Sequence, residues 1–263
     1  MHLLKRGERT LTGREENMSR SRMRATTLAV MVATGLVGLG TQQATSADLR
    51  TTARSRAAVE RVRPALVRDF AVKGLRFGAP IFIRIFKAEK ELEVFVQSDG
   101  RFRLFRTYPI CTYSGDLGPK MRQGDNQAPE GFYFVNASRM NPSSTFHLSF
   151  NLGFPNAFDR YHGRTGAYLM VHGNCVSIGC FAMTDARIEE IYAIAEAALR
   201  TGQSFFRVHS FPFRMTRANM QKYGSSPYVD FWKNLKEGYD FFEQKGRPPN
   251  IEVRQGRYTF DPS

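Results

Sequence analysis

The residues best suited to chemistry in this 263-residue chain crowd into ten positions, Val171-His172-Gly173-Asn174-Cys175-Val176-Ser177-Ile178-Gly179-Cys180. A histidine and a cysteine placed near each other point to an ion pair in which imidazolium stabilises a thiolate. The thiolate attacks a carbonyl, and the same imidazole returns a proton to the departing amine. Gly179 permits a sharp turn and close backbone approach. The N–H groups around Gly179 and Cys180 are candidates to hold the oxyanion of an acyl-transfer intermediate. The rival chemistry is a four-ligand metal centre of His172, Cys175, Cys180 and Cys111. It lacks paired C-x-x-C knuckles, and H-x-x-C-x-x-x-x-C is not a common zinc spacing. With neither H-E-x-x-H nor a phosphate-binding Walker loop in the chain, no metal and no cofactor is expected. The adjacent carboxylates Glu189 and Glu190 read as solvated helix surface. Cys111 and Cys175 either form a disulfide or stay as buried thiols.

These groups need a scaffold, and hydrophobic periodicity outlines it. Residues 54–73 carry apolar positions at helical spacing, with Pro64 expected to kink or split the helix and a basic face expected to be solvated. From Pro80 the period becomes two. Segments 81–86, 92–96 and 102–106 read as an antiparallel meander. A Gly/Pro/Asp-rich loop fills 114–131, a length that is usually functional or mobile. Strand-like runs follow at 132–135, 145–150 and 168–172. Thr184 or Asp185 is placed to cap a helix reaching Leu199, with Ile188, Ile191, Ile194, Ala195 and Ala198 on one face. The remainder reads as a strand at 204–210, a helix at 227–243 and a last strand near 251–260. The sum is a mostly antiparallel β domain with a few helices around it.

Charge and the leader narrow the setting. The chain carries 38 Lys+Arg against 24 Asp+Glu, a net charge of +14 that calls for an acidic partner. Arg20, Arg22 and Arg24 precede the apolar stretch 28–39, which is short of the roughly 20 residues that span a bilayer. Small and polar residues then end at Thr45-Ser46-Ala47. This reads as a secretory signal peptide over 1–47 with a long leader before Met18. Its removal leaves 216 residues, 31 basic and 21 acidic, at net +10. The expected location is then the periplasm or cell envelope, with no stable membrane span after cleavage. Nucleic acid gives way to envelope polymers as the acidic partner.

The motifs together also resemble a known family. A strand ending in His172-Gly173, followed by Ser177-Ile178-Gly179-Cys180, is similar to the signature of the L,D-transpeptidase catalytic domain (YkuD-type), and most of all to its YafK-like branch of murein enzymes. Gly118-Pro119-Lys120, Ala128-Pro129-Glu130-Gly131-Phe132, Phe150-Asn151-Leu152-Gly153, Asp159-Arg160 and His162-Gly163-Arg164-Thr165-Gly166 support the resemblance. It implies a mostly β (α+β) fold, an antiparallel sandwich or barrel-like core with flanking helices. The expected layout is a helical lead-in over 48–77, the catalytic domain over 78–216, and a C-terminal helix and strand over 217–263. It implies Cys180 as acyl-accepting nucleophile on peptidoglycan stem peptides, His172 as base, and Gly173, Ser177 and Gly179 as shapers of the site. A backbone carbonyl suffices to orient the histidine. The family often carries Arg or Asn two positions after the cysteine, where this chain has Ala182. Arg160 or Arg164 is therefore expected to bind a substrate carboxylate, and His162 to contact substrate or to compete as base. The thioester would be resolved by an amine, giving a cross-link or protein attachment, or by water, releasing a murein-linked envelope protein. A non-catalytic envelope-binding module is the reading of another class.

Overall fold

The structure, a computed structural model, describes residues 49–261. The signal peptide expected over 1–47 lies outside the described residues. In chain order the elements are α1 (Ala53–Val72), β1 (Ile81–Phe86), β2 (Glu91–Ser98), β3 (Arg101–Pro109), β4 (Thr112–Tyr113), β5 (Gly131–Asn136), β6 (Met140–Asn141), β7 (Ser149–Asn151), α2 (Ala157–Tyr161), β8 (Met170–His172), β9 (Phe181–Ala182), α3 (Asp185–Arg200), β10 (Phe205–Phe211), α4 (Arg217–Lys222), α5 (Val229–Lys245), β11 (Asn250–Arg254) and β12 (Arg257–Asp261). No helix among the described residues is long and apolar enough to cross a membrane.

Two five-stranded sheets carry the fold. The first runs β3-β2-β1-β10-β5, antiparallel except for the parallel pair β1–β10. The second runs β4-β9-β8-β7-β6, antiparallel except for β8–β9. Both are open sheets, so the α+β architecture is mixed and contains no closed barrel among the described residues. The meander of β1, β2 and β3 is as the alternation predicts. The last strand expected near 251–260 is instead the hairpin β11–β12, and the run at 145–150 becomes strand only from Ser149.

One helix joins the sheets. Thr184 caps α3 by accepting from the Arg187 N–H, and Ile188, Ile191 and Ile194 are buried along its inner face. They share one apolar cluster with Val94 and Val208 of the first sheet, Val171 and Phe181 of the second, and Leu66 and Phe70 of α1. Helix α1 is one continuous element, not split at Pro64. Pro64 lies on its exposed face, where water can take the hydrogen bond that proline cannot donate to.

Glu189 is not solvated surface, and Glu190, partly exposed, is tied down by ion pairing. Glu189 is 6% exposed. It receives Arg61 of α1 through both oxygens at 3.0 and 2.7 Å, and its Oε1 lies 2.8 Å from His147 Nε2. Glu190 accepts from Arg106 and from the Tyr108 hydroxyl. The basic face of α1 is thus partly engaged, and Arg54 extends it by donating to the carbonyls of Ser144 and His147. These contacts hold the 142–148 segment against α1 and α3.

A second anchor lies at the base of the long loop. Lys87 and Glu130 form a fully buried ion pair at 3.0 Å. Lys87 also donates to the carbonyls of Gly118 and Ala128, while Glu130 accepts from the Gly118 N–H and the Trp232 indole. This is the physical content of Ala128-Pro129-Glu130-Gly131-Phe132. The segment ties the loop to the sheet and to α5.

Candidate active site

The parallel pair β8–β9 sets the site. Its register matches Val171 with Phe181 and His172 with Ala182. One pleat back the next partners are Met170 and Cys180, and the Met170 N–H does lie 3.4 Å from Cys180 Sγ. Alternation then puts His172 and Cys180 on one side of the sheet and sends Val171 and Phe181 into the core. Two residues along a strand and one strand across is about 8 Å between backbones, a gap that a cysteine and a histidine side chain reach into from both ends. Both line one cleft of about 630 Å³.

His172 is 2% exposed, with its ring 4.6 Å from that of Phe146. Its Nδ1 is 2.6 Å from the carbonyl oxygen of Gly173. A carbonyl only accepts, so Nδ1 carries the proton and Nε2 is left as the basic nitrogen. Burial lowers the pKa of His172 from its ordinary 6.5, against the opposing pull of the Gly173 carbonyl. Burial raises that of the Cys180 thiol, opposed by the Met170 N–H and the charge of Lys120. Both shifts disfavour the charged forms, the imidazolium of His172 and the thiolate of Cys180, and so work against the ion pair that the residue types alone bring to mind.

Ser177 builds the turn that presents the thiol. Its hydroxyl donates to the Cys180 carbonyl at 2.8 Å and accepts from the N–H groups of Gly179 and Cys180 at 3.2 and 3.0 Å. Those two amides, expected to face an oxyanion, are occupied by Ser177 in this state. Gly179 has φ +134, a conformation open to glycine alone. Gly173 is needed for space, since a Cβ there would lie 2.5 Å from Asp185 Oδ1.

Between His172 and Cys180 the chain is clamped. Cys175 is disulfide-bonded to Cys111, 64 residues away, and Cys180 is the free thiol. Cys111 N–H donates to the Ala182 carbonyl and Cys175 N–H to that of Met183, so the bridge fastens the 173–179 loop across the end of β9. It also takes two of the four residues a metal centre would have needed. In the chain-entropy limit a loop of this length contributes about 4 kcal/mol. Free-thiol counting on unfolded, unreduced protein is expected to find one thiol per chain; three would exclude the bridge.

The comparisons with known proteins bear on this arrangement. Residues 80–245 match the model of the L,D-transpeptidase catalytic domain, YkuD. The chain is also 50% identical over 182 residues to YafK of Escherichia coli K12, provisionally named an L,D-transpeptidase, covering 69% of this chain and 74% of that one; YafK of Escherichia coli O157:H7 matches equally. The chain belongs to the L,D-transpeptidase catalytic domain family. Among solved structures, the helical cell shape determining protein Pgp2 of Campylobacter jejuni (K307A mutant) aligns at 21% identity and TM-score 0.42, over 64% of this chain and 58% of that chain. Bd1075 of Bdellovibrio bacteriovorus aligns at 21% identity and TM-score 0.38, over 64% and 61%.

Within this L,D-transpeptidase domain the three residues expected to bind substrate are placed elsewhere. Arg164 is buried, donates to Asp159 Oδ1 at 2.8 Å and lies over the rings of Phe158 and Phe231. Arg160 donates to the Pro155 carbonyl. His162 Nε2 is 2.8 Å from the Gly256 carbonyl, and its ring packs at a tilt against that of Phe158. None of the three lines the cleft that holds Cys180. His162 and Arg164 fasten the α2 region to the C-terminal hairpin and to α5, while the Arg160 contact is local.

The cleft walls come instead from two loops. Ser143, Ser144, Thr145 and Phe146 form one; Lys120, Gln123, Gly124 and Asn126 form the other. Asp125 shapes the second by accepting from the N–H groups of Met121, Arg122 and Gln127 and from Lys120 Nζ. Burial opposes its ionisation, but these donors outweigh it and hold its pKa at about 2. The sequence signal for this wall was faint. Lys120 belongs to the Gly118-Pro119-Lys120 match, and Asp125 is a plausible local partner, but nothing in their spacing points at Cys180.

Proposed function

We propose that this chain is a cysteine acyltransferase of the L,D-transpeptidase type, acting on peptidoglycan stem peptides in the cell envelope. The observation that carries the reading is the cleft itself, which both the free thiol of Cys180 and His172 line, with His172 on β8 and Cys180 at the start of its neighbour β9. Cys180 Sγ attacks the amide carbonyl, forming the S–C bond as its proton passes to His172 Nε2. The C–N bond then breaks, the proton leaves with the amine, and a thioester remains. An incoming amine gives up a proton to His172, displaces the thiol and forms a new amide; water in its place yields an acid. The Gly173 carbonyl keeps the imidazole in the required tautomer throughout. Placement in the envelope is supported by the Cys111–Cys175 disulfide, a bond that persists in oxidising compartments, together with the signal-like leader.

Incubating the protein and its Cys180→Ala variant with purified sacculi, followed by mass analysis of released and retained fragments, tests the reading. New cross-links or attached acceptor amines that require Cys180 support transfer. Released peptides or proteins that require Cys180 assign the same thioester to hydrolysis. Sacculi left unchanged by the native protein would mean that the domain only binds.

A further inference from the structure

The peptide group between Gly173 and Asn174 is held from both ends. Its carbonyl oxygen lies 2.6 Å from His172 Nδ1, and its N–H donates to Asp185 Oδ1 at 2.7 Å. In a trans peptide the C=O and N–H point in opposite directions. One planar group therefore joins the imidazole on β8 to the carboxylate at the start of α3. Asp185 is not needed as a helix cap, because Thr184 accepts from the Arg187 N–H in that role. Its side chain turns back instead to the loop that follows β8.

The surrounding backbone is already fixed. The Met183 N–H donates to the His172 carbonyl, the Cys175 N–H to the Met183 carbonyl, and the Gly173 N–H to the carbonyls of Phe146 and Leu148. The soft motion that remains is rotation of the Gly173–Asn174 peptide plane, which changes ψ at Gly173 and φ at Asn174 together. Asn174 sits at φ +64, a conformation sparsely populated by residues with a side chain. Half a revolution of the plane would relieve that conformation, and would carry the carbonyl away from His172. It would also aim the carbonyl oxygen at the Asp185 carboxylate, and two acceptors repel. Asp185 thus opposes the local relaxation that would release the imidazole. A carboxylate on the N–H further polarises the peptide and makes its carbonyl a better acceptor.

We propose that Asp185 is a positioning residue for His172, acting through the Gly173–Asn174 peptide to hold its carbonyl on Nδ1 and keep Nε2 as the basic nitrogen. This rests on the acyl-transfer reading and adds a third member to the pair, a carboxylate one peptide group removed from the imidazole. Removing Asp185 leaves the acceptor oxygen in place and frees its direction.

Nitrogen NMR of protein labelled on its histidine rings, with the His172 signals assigned by their loss in His172→Gln, reads the tautomer at neutral pH without turnover. Tm, kcat and KM for a stem-peptide donor are measured alongside. The native protein is expected to carry the His172 proton on Nδ1. Asp185→Ala is expected to show both tautomers and to lose roughly 5- to 20-fold in kcat with KM within about two-fold, less than the full worth of a charge-assisted bond because the contact is open to water. Asp185→Asn, whose side-chain carbonyl can accept the same hydrogen bond, is expected to keep the native tautomer and most of the rate. A purely structural role would lower Tm and leave the tautomer and kcat of the folded variants unmoved, which overturns the proposal. A native His172 protonated on Nε2 overturns it even if Asp185→Ala does not fold. A native protein that turns over no donor sinks the acyl-transfer reading, while the tautomer still decides whether Asp185 orients His172.

Discussion

Replacing His172 with glutamine is expected to slow turnover by roughly 10²- to 10⁴-fold, the range lost with a general base, whereas His162→Gln should leave turnover within a few-fold of native. The two histidines are each followed by glycine, and sequence spacing alone leaves both as candidates. Their surroundings differ. His172 shares a cleft with Cys180, and its second nitrogen is oriented by the Gly173 carbonyl. His162 donates to Gly256 and packs on Phe158, in contact with the hairpin. Loss of the His162 contact should instead appear as reduced thermal stability. Product formation from a defined donor peptide by both variants is the measurement, and an active His172→Gln protein would reject the assignment. The pH profile gives an independent check. A base must be unprotonated to act, and burial places the His172 pKa below 6.5. Activity should therefore rise with pH through a midpoint below 6.5 and stay level across neutrality. A resting ion pair would instead lose activity on the alkaline side, as the imidazolium gives up its proton.

The largest stability effect should come from Glu130→Gln. The substitution keeps shape but leaves the Lys87 ammonium, fully buried, without its counter-charge. Breaking a buried pair from one side costs about 3–5 kcal/mol. For a domain of this size that is a fall in Tm of roughly 6–20 °C, measurable by calorimetry or circular dichroism. Burial already lowers the Lys87 pKa against the stabilising pull of Glu130. The variant should therefore let this lysine lose its proton more readily. Replacing both partners with apolar residues should recover only part of the loss. The Trp232 indole, the Gly118 N–H and the Ala128 carbonyl would lose the partners that the pair supplies, while the Gly118 carbonyl keeps only Gln127 Nε2. Because Gly118 begins the wall that carries Lys120, donor binding should weaken along with stability. A variant as stable as the native protein would show that the pair is dispensable.

Local signals proved readable and pairwise ones did not. The Thr184 cap and the spacing of Ile188, Ile191 and Ile194 specify α3 from neighbouring residues alone, and the Ile- and Phe-rich run at 81–86, buried on both faces, likewise specifies β1. The second sheet is assembled from strands of two or three residues, too short to leave a period. Glu189 looks like helix surface until Arg61, 128 residues earlier, is laid against it. The disulfide was one of two readings because partnership of Cys111 and Cys175 is a distance, not a spacing. At the site, His172 and Cys180 stood out by residue type. Burial, which pushes the His172 pKa down and that of the Cys180 thiol up, is set by the surrounding fold, and the turn around Asp125 that holds Lys120 is a matter of contacts rather than spacing.

The contact between His172 Nδ1 and the Gly173 carbonyl has a genetic consequence. Where an aspartate or asparagine side chain orients a catalytic histidine, one codon change deletes the orienting group. For His172, the base of the proposed reaction, it is a peptide oxygen, which every amino acid at position 173 would supply and which no change of pH can titrate away. Mutational fragility is displaced to the other side of the same residue, the missing Cβ of Gly173, whose place Asp185 already occupies. A saturation library at position 173 should accordingly lose function at every substitution through crowding, and at none through loss of the hydrogen-bond acceptor.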